Sequence, residues 1–151
     1  MTSQIESVDS FGNPIIPVLV NECYGGFGLS KVAETAVQTL FDRKDKGPYD
    51  EFTLKRHDED LISAVVTIGL DDSSNKYSRL CIKYIPAEFI DSYYIDEYDG
   101  FEGVKLDYKK YLMTQLDLIM ENVELTSDQK IEEVNKVRFY VKEIERNCHY
   151  Y

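Results

Sequence analysis

Val18-Leu19-Val20-Asn21-Glu22-Cys23-Tyr24-Gly25-Gly26-Phe27-Gly28-Leu29-Ser30 runs from an apolar segment through three glycines in four positions into a helical pattern. Val18-Leu19-Val20 is a continuous apolar run of the kind that a strand buried on both faces carries. Pro17 before it and the glycines behind it favour strand over helix, so a strand is predicted over Ile15 to Glu22. Glycine reaches left-handed backbone angles without steric cost and lets another group approach the main chain, so Gly25-Gly26-Phe27-Gly28 reads as a built junction. Beyond it Val32, Ala33, Ala36, Val37, Leu40 and Phe41 recur at helical spacing. Ser30 is the N-cap candidate, because its hydroxyl can accept from an unpaired first-turn N–H, and the charged run Asp42 to Lys46 with Gly47-Pro48 ends the helix.

Working outward, Phe11-Gly12-Asn13-Pro14 is a turn signal, and the polar residues before it read as a weakly ordered lead-in. After the first helix comes a short extended piece, Glu51 to Arg56. A second helix is predicted over 58–69, capped by Asp58, with acids in its first turn and a stop at Gly69. The β-branched Val65, Val66, Thr67 and Ile68 make a strand the competing reading there. Asp71 to Asn75 reads as a loop. From Ser78 to Pro86, Leu80, Ile82 and Tyr84 alternate with Arg79, Cys81 and Lys83, the period of a strand. Tyr93 to Glu97 and Phe101 to Leu106 flank Tyr98-Asp99-Gly100, a hairpin signal. The last third changes character: Tyr108, Tyr111, Leu112, Leu116, Ile119 and Val123 form a helical stripe. Thr126 to Gln129 has the form of a capping box, opening a helix whose Ile131, Val134, Val137, Val141, Ile144 and Cys148 share one seam.

These patterns predict an α+β fold, a small mixed sheet with the strand, glycine turn and helix at its centre and a C-terminal helical hairpin. Residues 1–14 are expected to be a flexible lead-in and 15–106 the α+β core. Residues 107–151 form a helical extension packed on that core or at a homodimer interface.

Charge narrows the partners. With 28 Asp and Glu against 17 Lys and Arg, the net charge of -11 opposes a phosphate backbone, and the basic residues do not cluster. Nucleic acid is therefore not an expected partner, while basic protein surfaces are compatible. No apolar stretch approaches the roughly 18 residues that span a bilayer, so no membrane partner is expected. Three cysteines without C-x-x-C spacing argue against a disulfide framework or a zinc knuckle, and the chain reads as intracellular. Cys148-His149 has poor chelate spacing. Neither a cofactor nor a metal is predicted.

Three groups have chemistry to offer. The glycine turn has the ingredients of an anion site, with Lys31 and Arg56 as nearby cations. It lacks the Lys-Ser or Lys-Thr of a P-loop, and Lys31 stands where G-x-G-x-x-G needs its last glycine; a ligand-free packing turn is the alternative. Cys23 could be a nucleophile with His57 as its base, although a buried cysteine at a strand end is the commoner arrangement. The acids Asp91, Asp96, Glu97, Asp99 and Glu102 surround a turn without reproducing a calcium loop, and read as a solvated hairpin.

The boxes Cys23-Tyr24-Gly25-Gly26-Phe27-Gly28-Leu29-Ser30, Arg56-His57-Asp58-Glu59-Asp60-Leu61-Ile62 and Glu97-Tyr98-Asp99-Gly100-Phe101-Glu102 resemble, in this order, those of a group of small uncharacterised proteins of bacteriophages and large DNA viruses. That group shares CYGGFGLS, R-x-D-x-x-L-I and E-Y-D-G-x-E. The resemblance covers about residues 18–104 and leaves out 105–151. It implies a viral origin, in the host cytoplasm or the virion, but brings no activity. It draws attention to Tyr24, Phe27, Arg56, Asp58, Tyr98, Asp99 and Glu102, which match box positions. With Gly25, Gly26 and Gly28 they make up the candidate ligand-binding set; no catalytic residue is assigned.

The leading expectation is a viral accessory protein that acts by binding, either a host or viral protein or a small anionic ligand at the glycine turn. One alternative is a small hydrolase or transferase acting on a phosphate-containing metabolite through Cys23 or the Tyr98-Asp99-Glu102 group. Another is an assembly protein that oligomerises through its C-terminal helices.

Overall fold

A computed structural model describes residues 5–147; Cys148 and His149 lie outside them. In chain order the elements are β1 (Ile15–Asn21), α1 (Lys31–Arg43), α2 (Glu59–Ile68), α3 (Leu70–Ser73), β2 (Leu80–Pro86), β3 (Tyr93–Tyr98), β4 (Phe101–Leu106), α4 (Tyr108–Glu121) and α5 (Ser127–Asn147), with a 3-10 turn at Ala87–Phe89 between β2 and β3. The chain is an α+β fold, as its residue patterns predict. Its strands form two antiparallel two-stranded ladders, not one mixed sheet. β1 pairs with β2, Ile15 opposite Pro86 and Asn21 opposite Leu80; β3 pairs with β4, Tyr93 opposite Leu106 and Tyr98 opposite Phe101.

The apolar run of β1 is explained by what lies on either side of it. Successive strand residues point to opposite faces, and each face of the β1–β2 ladder is covered by its own core. Leu19, Leu80 and Ile82 pack with Ala33, Val37 and Phe41 of α1 and Leu61 and Val65 of α2. Val18, Val20 and Ile85 pack instead with Phe89, Val104, Leu106, Tyr111 and Val141. The layers are thus α1 and α2, then the central ladder, then the second hairpin with the C-terminal helices.

Local signals set most boundaries. Ser30 caps α1 by accepting from the Ala33 N–H at 3.2 Å. Asp58 caps α2, its Oδ1 accepting from Asp60 and Leu61, and Gly69 ends the helix at a φ of 103°. That cap and that stop prevail over the β-branched content of the segment. Asp99 and Gly100, with φ of 50° and 87°, form the hairpin loop, as a type I′ turn requires. The capping box of α5 is reciprocal: Thr126 Oγ1 accepts from the Gln129 N–H at 3.2 Å, and Gln129 Oε1 accepts from the Thr126 N–H at 2.8 Å.

Two local expectations are corrected. Glu51 to Arg56 is not extended, because Asp50 folds the segment into a turn by accepting from the Phe52 N–H and the Thr53 hydroxyl. Asp71 to Ser73 belongs to α3 instead of a loop: Gly69 redirects the backbone, and the Ser73 and Ser74 N–H groups find carbonyls at Gly69 and Leu70. In the lead-in, Asp9 organises a turn by accepting from the Phe11 and Asn13 N–H groups. Among the described residues, no helix is long and apolar enough to cross a membrane.

The C-terminal helices complete the second core. Tyr111 of α4 stacks on the fully buried Phe89 with ring centroids 4.4 Å apart, and Val141 of α5 is buried in the same cluster. Their other sides leave Met113, Leu118, Met120, Ile131 and Phe139 exposed.

Candidate functional site

Among the described residues β1 pairs with a strand, β2, on one edge, and its other edge is met by backbone carbonyls and side chains of other segments. The Leu19 N–H donates to the Arg56 carbonyl at 2.8 Å, and the Arg56 guanidinium donates back to the Leu19 carbonyl at 3.3 Å. Two positions on, the Asn21 N–H donates to Glu102 Oε1 at 2.9 Å. Arg56 and Glu102 meet in a bidentate pair, Nη1 to Oε1 at 2.7 Å and Nη2 to Oε2 at 2.9 Å. Phe27 covers the guanidinium, whose central carbon lies 3.4 Å from the ring centroid. Both charged side chains are nearly withdrawn from water, Arg56 14% and Glu102 7% exposed. Such a planar, bidentate and stacked site suits arginine in particular.

Asn21 ties the same region together from within. It is fully buried; its amide nitrogen donates to the Cys23 and Gly100 carbonyls, and its Oδ1 accepts from the Arg79 N–H at 2.8 Å. A buried polar group is tolerable only when its bonds are made, and here both ends of the amide are used. Asn21 was absent from the predicted site. Its signal in the sequence is a lone amide ending an otherwise apolar strand next to glycines.

The glycines answer to close packing. A Cβ on Gly25 would stand 1.8 Å from the Tyr77 carbonyl oxygen, and one on Gly28 2.2 Å from the Asn75 amide nitrogen. Gly26 has a φ of +94°, and its backbone lies against Gly100 so closely that a Cβ on Gly100 would be 2.5 Å from the Gly26 nitrogen. The turn is therefore shut against the Asn75 to Ser78 segment and the hairpin loop. Ser78 also donates to the Gly28 carbonyl at 2.7 Å.

The three boxes do converge, through Phe27, Arg56, Glu102, Gly26 and Gly100. What they build is a closed joint, whose cation is already neutralised by Glu102. Asp58 does not join it; its carboxylate serves the N-terminus of α2 and pairs with Lys46 at 2.6 Å. Lys31 pairs with Glu34 on α1. Cys23 and His57 have separate partners. The thiol donates to the Tyr77 carbonyl at 3.0 Å, and His57 Nδ1 lies 2.5 Å from the Tyr93 hydroxyl. Burial pushes the Cys81 thiol up to about 11, with Glu22 beside it adding to the effect. Among the described residues, no group of three or more His, Cys, Asp or Glu side chains could hold a metal ion.

On the outer side of the joint an aromatic surface remains. Tyr24, Tyr98 and Phe101 are 67%, 79% and 37% exposed, and the Tyr24 and Phe101 rings lie 5.5 Å apart. Tyr98 and Phe101 are directly paired across the hairpin. Asp96, Glu97 and Asp99, neighbours of Tyr98 in the sequence, are exposed; Asp96 pairs with Lys105 at 3.4 Å, and Glu97 accepts from the Gly100 N–H in the loop. No family model, curated protein or solved structure matches the chain.

Proposed function

We propose that the chain is a non-catalytic binding protein that takes a protein segment bearing Arg or Lys next to apolar residues on the outer face of the β3–β4 hairpin. The observation that carries this reading is the exposed cluster Tyr24, Tyr98 and Phe101, held on a backbone that the Arg56–Glu102 pair and the Gly26–Gly100 approach make rigid. Aromatic side chains supply large contact area at low entropic cost and attract cations over their faces. The acids Asp96, Glu97 and Asp99 and the net charge of -11 steer basic surfaces toward it. A role as a viral accessory protein, in the host cytoplasm or the virion, rests on the resemblance of the three boxes. This reading is preferred to an anion at the glycine turn because Arg56 is engaged with Glu102 and the turn is packed against Tyr77 and Asn75.

Panning a random peptide display library on the protein tests it. The natural chain should enrich sequences with Arg or Lys beside apolar residues, and the variant Tyr24→Ser/Tyr98→Ser/Phe101→Ser should not. Enrichment of acidic sequences, or equal enrichment by both proteins, overturns the proposal.

A further inference from the structure

We propose a second site, on the other side of the Arg56 segment, that binds a small organic anion with an apolar body. Two cavities meet there, of about 420 Å³ and about 350 Å³, and they share Lys55, His57 and Ile90 in their walls. The first is walled mainly by carbon, from Ile16, Pro17 and Ile62. The second is walled by Lys110, Tyr93 and Tyr94 as well as Arg56. A cleft with an apolar half, a polar half and a few convergent polar groups has the usual form of a small-molecule site.

The polar half offers two lysines, Lys55 and Lys110. Among the described residues, neither Lys55 nor Lys110 has a carboxylate partner, whereas the Arg56 charge is taken by Glu102. Lys110 also stands in the first turn of α4, beside Asp107, whose carboxylate caps that end by accepting from the Lys110 N–H at 3.0 Å. His57 sits where the halves join, its ring fixed by the 2.5 Å contact of Nδ1 with the Tyr93 hydroxyl. Asp107 and three further acids oppose an anion. Asp58 is engaged by Lys46, Glu59 borders the apolar half, and Asp91 borders the polar half. Burial is the main cause that lowers the His57 pKa, and Lys55 follows it ahead of Asp91 and Asp58. Burial pushes the Tyr93 hydroxyl up to about 12. An anionic head between Lys55, His57 and Lys110, with its carbon body over Ile16, Ile62 and Ile90, satisfies both halves at once. This site shares no residue with the aromatic face, so either reading can fail without the other.

Titration of the protein with octanoate, octanol and inorganic phosphate, followed by NMR, tests the assignment. Octanoate should shift the His57 ring and the Ile62 and Ile90 methyl signals together, and octanol and phosphate should each bind at least about tenfold more weakly. Lys55→Met with Lys110→Met should weaken octanoate about tenfold, and Asp91→Asn should tighten it. Absence of shifts at these residues, octanol or phosphate binding as well as octanoate, unchanged affinity in the double lysine variant, or weaker binding by Asp91→Asn would each overturn the proposal.

Discussion

Arg56 and Glu102 meet in two parallel hydrogen bonds of 2.7 and 2.9 Å, and between them they supply the open edge of β1 with the partners that a third strand would give. Removing one member of a buried pair leaves the other charge uncompensated, at a cost of about 3–5 kcal/mol. Glu102→Ala should fall in that range by urea denaturation, since the Asn21 N–H loses its acceptor too. Arg56→Met with Glu102→Leu should cost less than the sum of the single changes, because neither charge is then stranded. Additive losses would mean that the two residues act independently.

The glycine junction separates two kinds of glycine. Gly26→Ala forces a side chain onto a φ of +94° but meets open space, so about 1–2 kcal/mol of backbone strain is expected. Gly25→Ala places a methyl 1.8 Å from the Tyr77 carbonyl, which only a backbone shift relieves. The loss should reach at least the upper part of the ~1–3 kcal/mol typical of overpacking. Thermal denaturation should therefore rank Gly25→Ala as the more damaging change; the reverse order would place Tyr77 elsewhere.

Asp60 gives the fold an acid dependence. Its carboxylate is buried and accepts from Lys44 at 2.7 Å and Lys46 at 2.9 Å, and the Lys44 bond first, then the Lys46 bond, hold its pKa below the ordinary aspartate value of 3.8. A carboxyl depressed in the folded state binds its proton more readily when unfolded, so it contributes stability at neutral pH. That contribution is lost as pH falls from about 3.8 through the lower folded value. Asp60→Asn should flatten this part of the stability curve. An unchanged acid slope would remove Asp60 from the cause.

The sequence disclosed what local chemistry decides. Ser30, Asp58, Gly69, Asp99-Gly100 and the Thr126 to Gln129 box each act within a few residues, and each stands where the pattern places it. The two-faced burial of Val18-Leu19-Val20 was legible for the same reason: a strand can be apolar at consecutive positions only if both sides are covered. What could not be read is pairing at a distance. Arg56 and Glu102 were both singled out, but nothing in their neighbourhoods tells that they face each other, 46 positions apart. Single positions also do not reveal that Gly25 answers to Tyr77, or that Asn21 spans Cys23, Gly100 and Arg79. The sequence therefore marks the residues of the joint, whereas their meeting and its closure depend on pairings at a distance.

The C-terminal helices offer a test of the same distinction between pattern and partner. A helical stripe can cover its own core or that of another chain, and Tyr111 is the residue that separates the cases, stacked 4.4 Å from the buried Phe89. Tyr111→Ala should cost about 3–5 kcal/mol, as for other buried aromatic truncations, and should do so independently of protein concentration. Ending the chain after Leu106 would leave Phe89, Val104 and Leu106 without the Tyr111 and Val141 side chains that cover them. That fragment should lose cooperative unfolding and its near-ultraviolet circular dichroism, with aggregation on size exclusion. Phe139→Ser, on the exposed side of α5 at 67% exposure, should by contrast change stability by less than about 0.5 kcal/mol. A well-folded monomeric fragment together with a concentration-dependent loss in Phe139→Ser would instead assign the helices to an interface between chains.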